Sequence, residues 1–190
     1  MPIQLIVGLA NPGKEYASTR HNVGAWWVQA LCDQNHISLQ TQTKLQACIG
    51  QGNLNQIKFR CAIPTTFMNH SGQSIGKIAQ YFDIPPEEIL VVHDELDFPA
   101  GIIRLKFAGG HGGHNGLRDI IPQLGSEKFH RLRIGIGHPG NKDLVSDYVL
   151  NNPSKHDQKI IEAAIQDSLN LVPAILTGDW PKVMNQLHQT

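Results

Sequence analysis

Ile89-Leu90-Val91-Val92-His93-Asp94-Glu95-Leu96-Asp97 runs from aliphatic side chains straight into polar and acidic ones. The first half, 89–93, is short, apolar and rich in β-branched residues, so it reads as a buried strand. The carboxylate that follows is a natural partner for a ring nitrogen. Working outward, similar Val- and Ile-rich runs fall at 3–9, 46–52, 57–63, 102–107 and 130–136, with a hairpin turn over 53–55. Helical periodicity fills the gaps at 21–34, 71–82, 116–124 and a long stretch, 154–176. In the last, Ile161, Ala164, Ile165, Ser168, Val172, Ile175 and Leu176 recur on one face. Alternating strands and helices predict an α/β fold: a single domain over 1–190, built on a twisted, mixed, largely parallel sheet flanked by helices. Trp26, Trp27, Ile75, Ile78, Ala79 and Phe82 read as core.

The chain has 190 residues, 41% of them hydrophobic, which suits one substantial core rather than two. No apolar run approaches the roughly 20 residues that cross a bilayer. Met1-Pro2-Ile3-Gln4-Leu5 has no basic segment leading into an apolar one, so nothing directs export and the cytoplasm is the expected location. Cys32, Cys48 and Cys61 are odd in number and widely spaced, against a disulfide framework or zinc knuckle; they read as buried apolar groups. Net charge is zero, yet its distribution is uneven. Between 101 and 142, Arg104, Lys106, Arg118, Lys128, Arg131, Arg133 and Lys142 face only Asp119 and Glu127, an excess of five positive charges. Residues 83–97 carry Asp83, Glu87, Glu88, Asp94, Glu95 and Asp97 with no Lys or Arg, so one face of the fold can be basic while the average stays neutral.

The unusual polar residues follow the carboxyl ends of the expected strands: Asn11, Asn69, Asp94, then His111, His114 and Asn115. Open α/β sheets bind ligands along that edge. Gly8-Leu9-Ala10-Asn11-Pro12-Gly13-Lys14 has the spacing of a phosphate-binding loop, but Glu15 stands where a magnesium-binding hydroxyl is required and Pro12 removes a backbone donor. Nucleotide hydrolysis is therefore disfavoured. Ser18 or Thr19 is placed to cap the next helix, with His21 in its first turn. There the helix dipole disfavours the imidazolium and Asp94 favours it, a balance that predicts a largely neutral base near pH 7. Five glycines lie among the eight residues 109–116, interleaved with His111, His114 and Asn115, a loop able to wrap a ligand and expose backbone donors.

Taken together these strings resemble one family. Gly8-Leu9-Ala10-Asn11-Pro12-Gly13, Thr19-Arg20-His21-Asn22, Pro64-Thr65-Thr66-Phe67-Met68-Asn69, His93-Asp94-Glu95-Leu96-Asp97, Gly110-His111-Gly112-Gly113-His114-Asn115-Gly116 and Arg133-Ile134-Gly135-Ile136-Gly137 are similar, in identity and order, to those of bacterial peptidyl-tRNA hydrolases. The resemblance implies hydrolysis of the ester joining a peptide to tRNA, by water that His21 deprotonates while Asp94 orients its ring. It implies that Asn11 recognises the blocked amino group, and that Tyr16, Phe67, Asn69 and Asn115 contact the peptide and terminal nucleotide. Met68 and His114 stand beside them as auxiliary candidates. An amide of Asn69 or Asn115, or a loop N–H, is the expected oxyanion donor.

With tRNA as partner, the basic segment gains a use: Lys106, Arg133 and Lys142 are the first candidates for phosphate contacts, followed by Arg104, Arg118 and Arg131. No cofactor, metal or membrane is expected, and the resemblance implies a monomer. Two readings compete. One is a non-catalytic RNA-binding module; the other is a metal-dependent hydrolase using His21, Asp94 and His111 or His114, although no metal motif such as H-E-x-x-H occurs. A serine hydrolase lacks its G-x-S-x-G element, and Cys61 as a nucleophile is no better supported.

Overall fold

Four strands occupy the centre of the computed structural model, which describes residues 1–189. They are β1 (Leu5–Gly8), β4 (Ile57–Pro64), β5 (Ile89–Glu95) and β7 (His130–Gly135), mutually parallel in the spatial order β4-β1-β5-β7. Antiparallel strands complete the 7-stranded sheet: β2 (Gln40–Gln42) and β3 (Ala47–Leu54) beyond β4, and β6 (Ile103–Phe107) beyond β7. The expected α/β class and mixed sheet are what the structure contains.

Both faces of the central strands are covered, which is why β1 and the first four residues of β5 are unbroken apolar runs. Ile6, Leu90, Val92, Leu132 and Ile134 point into a layer formed by α1 (Val23–Gln34), α5 (Lys155–Leu169), α6 (Val172–Thr177) and α7 (Trp180–His188). Leu5, Val7, Ile89 and Val91 point the other way, onto α2 (Ser71–Tyr81) and α3 (Asn115–Leu124). A short helix, α4 (Val145–Val149), lies at the edge of the first layer. Trp27 is fully buried there and its indole N–H donates to Ser168 Oγ at 2.8 Å, tying α1 to α5.

Several boundaries differ from the sequence expectation. The periodic stretch 154–176 is two helices, broken at Asn170 and Leu171, because Pro173 falls in the first turn of α6. Its ring excludes the carbonyl four residues back and its nitrogen has no proton to donate, so α5 cannot continue through it. The hairpin turns at Asn55 and Gln56, both left-handed with φ of 52° and 67°, rather than at 53–55. Strand β5 runs on through Glu95, so Asp94 lies inside the sheet, opposite Ile134, rather than beyond its end. The cysteines are free, with Cys32 and Cys61 buried and Cys48 half-buried. Among the described residues, no helix is long and apolar enough to cross a membrane.

Candidate active site

Helix α1 rests on the sheet through glycine. A Cβ on Gly24 would run into the Val92 carbonyl, and one on Gly8 into the Gly24 carbonyl, so β1, β5 and α1 meet backbone to backbone. This close approach lowers the turn preceding α1 onto the carboxyl end of β5. That turn, Arg20–Asn22, is a 3-10 turn and contains His21; α1 proper begins only at Val23. Neither Ser18 nor Thr19 caps it, since the Thr19 hydroxyl donates instead to the Tyr16 carbonyl at 2.8 Å.

His21 and Asp94 are 6% and 3% exposed. The His21 Nδ1–H donates to both Asp94 oxygens, at 2.9 and 3.0 Å. A second imidazole reaches the same carboxylate, with His114 Nε2–H donating to Oδ1 at 2.8 Å. The other nitrogen of His114, Nδ1, accepts from the Gly116 and Leu117 N–H groups at 3.1 and 3.4 Å and so caps α3. Those backbone donors fix the ring's tautomer: Nδ1 must keep its lone pair, and the proton stands on Nε2.

The electrostatics follow from burial and from this shared carboxylate. Burial alone would raise the Asp94 pKa; the His21 and His114 rings, by charge and hydrogen bond, hold it well below the usual carboxylate range. Burial pushes His21 down, but the charge and hydrogen bond of Asp94 outweigh it and leave His21 above its ordinary value. The expected balance thus lies toward the charged form, because a buried carboxylate at 2.9 Å acts with little solvent screening. His93 behaves oppositely: burial first, then His114, pushes it down to about 3. Its Nδ1–H donates to the Asp94 carbonyl, and its ring packs edge-on against His114.

His21, Asp94 and His114 also form the kind of donor set that holds a transition metal, with one ligand atom each within 4.8 Å. The hydrogen bonds do not fit that use. A metal at His114 Nε2 would move the ring proton to Nδ1, facing the two N–H groups that cap α3. The trio is arranged around protons.

A cleft of ≈ 940 Å³ opens over this floor, lined by Asn11, Tyr16, Phe67, Met68, Asn69, His111, His114 and Asn115 among others. All seven residues first singled out by resemblance, and both auxiliary ones, meet here. The Asn11 side-chain oxygen accepts from Met68 N–H at 2.7 Å, which turns its NH₂ toward the cleft. Asn115 Oδ1 accepts from Arg118 at 3.3 Å, likewise leaving its NH₂ as the outward group. Tyr16 and Phe67 meet edge to face at the rim, their centroids 6.1 Å apart, with Phe67 53% exposed.

The cations divide. Lys142 is exposed and lines the cleft. Lys106 is exposed on the edge strand β6, outside the cleft. Arg133 is tucked in, 3.9 Å from Glu95 and lying over the Phe98 ring. Strand register sets Arg104 opposite Arg133 and Lys106 opposite Arg131, so all four share one face of the β6–β7 pair.

Two residues that sequence reading did not assign hold this arrangement. Asn22 accepts from Asn11 N–H at 2.9 Å and donates to the Asn11 carbonyl at 3.0 Å, clamping that residue's backbone. Arg20 donates to the Tyr148 and Asn151 carbonyls and stacks over the Tyr148 ring, fastening α4 beside the cleft. Asn22 was visible as part of its string; its partner, 11 residues away, was not.

The chain is similar to known proteins over nearly its whole length. Residues 5–190 match the family model described as peptidyl-tRNA hydrolase. A peptidyl-tRNA hydrolase of Legionella pneumophila (strain Paris) is 54% identical over 188 residues, covering 99% of this chain and 100% of that protein. One from Coxiella burnetii (strain CbuG_Q212) is 53% identical over 186 residues, covering 98% and 97%. The crystal structure of peptidyl-tRNA hydrolase from Acinetobacter baumannii superposes with a TM-score of 0.95 at 49% identity, over 97% of this chain and 94% of that one.

Proposed function

Since the chain belongs to the peptidyl-tRNA hydrolase family and hydrolyses the ester of peptidyl-tRNA to release free tRNA for translation, we propose that His21 is its general base and Asp94 the group that orients it. The supporting observation is the bifurcated bond from His21 Nδ1–H to a carboxylate buried beneath it. With Nδ1 committed, Nε2 is the nitrogen left to serve the cleft that His21 lines. It takes a proton from water as the water oxygen attacks the ester carbonyl. The tetrahedral intermediate then collapses by breaking the bond to the ribose oxygen, which leaves with the proton that His21 returns. An ester is activated enough for this to need no covalent intermediate, and general-base help typically contributes ~10²–10⁴ in rate.

Asn11 presents its NH₂ to a peptide carbonyl, and Asn69 and Asn115 offer amide donors to the substrate and to the developing oxyanion. Tyr16 and Phe67 provide apolar contact at the rim, with Met68 and His114 in support. Such amide recognition tolerates many peptide side chains. Lys142 in the cleft and Lys106 and Arg133 on the β6–β7 face take phosphates of tRNA, contacts that give affinity without reading sequence. The reading includes a single domain acting as a monomer in the cytoplasm. A site complete within one chain supports the monomer, and a substrate made by translation supports the location.

Release of labelled peptide from N-blocked aminoacyl-tRNA, measured with a chelator present for wild type and His21→Ala, tests it. Chelator-resistant turnover that collapses in the variant, with tRNA binding retained, is the expected result; undiminished turnover in His21→Ala would remove it as the base.

A further inference from the structure

Arg131 is an arginine buried without a carboxylate in contact, Glu127 acting on it only from a distance. It is 2% exposed on β7, and no carboxylate lies within 4.0 Å of it among the described residues. Burying a guanidinium this way is costly unless its donors are used. Its two terminal nitrogens are used on backbone, one donating to the Gly110 carbonyl at 2.6 Å and the other to that of Gly109, while Nε has no hydrogen-bond partner among the described residues and the plane lies 4.6 Å from the Phe129 ring centroid. A forked, planar cation holds two adjacent carbonyls from two separate nitrogens in a fixed geometry, whereas an ammonium offers one nitrogen on a flexible stem.

The two carbonyls begin the glycine loop. Ala108, Gly109, Gly112 and Gly113 all have positive φ, and a Cβ at Gly110, Gly112 or Gly113 would meet nothing within 4 Å. The glycines of the span therefore face open space, and its own bonds are local: the half-buried His111 accepts from the Gly113 N–H at its ring and from the His114 N–H at its carbonyl, both at 3.0 Å. Beyond it the chain is fixed again at His114, on Asp94 and on the start of α3. Only residues 111–113 separate the two anchors, so the position of the first limits where His114 can stand. We propose that Arg131 is a positioning residue for catalysis, holding the base of the glycine loop so that His114 meets Asp94 and Asn115 faces the cleft, rather than a contact for tRNA phosphate. This rests on the assignment of His21 and Asp94 above.

Arg131→Lys keeps the charge and removes the fork. It is expected to lower kcat by roughly tenfold, the scale of a small misplacement in a catalytic group, with KM and its salt dependence near wild type. Combined with His114→Ala, it should add little to the loss that His114→Ala causes alone. A glycine inserted between Gly112 and Gly113 slackens the span with Arg131 intact and should reproduce the fall in kcat, which keeps the test available if Arg131→Lys does not fold. Unchanged kcat with a raised KM and a shallower salt slope would make Arg131 a phosphate contact and overturn the proposal. Additive losses in the double variant, or full kcat in the insertion variant, would overturn it too. His21→Ala assayed alongside separates the two ideas: activity surviving there sinks the assignment of the base, whatever Arg131 does.

Discussion

The floor and the rim of the cleft are built on opposite terms. On the floor, His21, Asp94 and His114 are withdrawn from solvent and hydrogen-bonded to one another. On the rim, Phe67, Asn69, Asn115 and Lys142 are exposed, and their outward groups wait for a ligand. Low local dielectric and fixed partners make the floor a place where proton affinity is set. Water around the rim makes it a place where binding is shared among many weak contacts. Changes on the floor should therefore appear in kcat, and changes on the rim in KM.

The largest expected effect is at the floor. His21→Ala should lower kcat by ~10²–10⁴ while tRNA affinity holds; a loss confined to KM would erase the distinction. Asp94→Asn comes next, with a fall on the order of 10² or more from a wrongly held ring, and it carries a sign. His21 must be neutral to accept a proton, and its pKa lies above the ordinary 6.5, so kcat/KM should fall as pH drops through a value above 6.5. Removing the Asp94 charge leaves burial, which lowers the His21 pKa, so the acid limb should move to lower pH even as the plateau drops. A pH–rate profile of the two enzymes checks it.

The asparagines sharpen the border between the two regions. If Asn69 or Asn115 donates to the oxyanion, its alanine variant should lose roughly 10²–10³ in kcat, a floor-type signature from a rim residue; loss in KM alone would return it to binding. Lys142→Ala should raise KM a few-fold and reduce the salt slope by about one, with kcat unchanged at saturation. Phe67→Ala should do least, less than about tenfold in KM, because a half-exposed ring loses only part of the ~1.5–3 kcal/mol of a fully buried one.

How far the sequence was legible follows the same division by distance along the chain. His21, Asp94, Asn11 and Asn115 each sit in a short distinctive string, and aliphatic runs such as Leu5–Gly8 announce central strands. What escaped depends on contacts that no local pattern encodes. Arg131 looked like one more surface cation until its partners proved to be carbonyls more than 20 residues away. Strand β2 is three exposed polar residues paired with β3, and carries no hydrophobic signal. Helix α7 did leave a sign, Asp179 capping Lys182 N–H just ahead of Pro181, in a segment too short for periodicity to stand out. The helix break at Pro173 was readable from proline alone, and the strong apolar repeat on either side obscured it.

His114 caps the start of a helix with one nitrogen and steadies a carboxylate with the other. Any excursion that frays the first turn of α3 therefore also withdraws a donor from Asp94, and activity becomes a reporter of local opening. On gentle warming, catalysis should fade together with hydrogen-exchange protection at Gly116 and Leu117, ahead of the sheet. The site carries its own integrity check, written in the choice of which nitrogen holds a single proton.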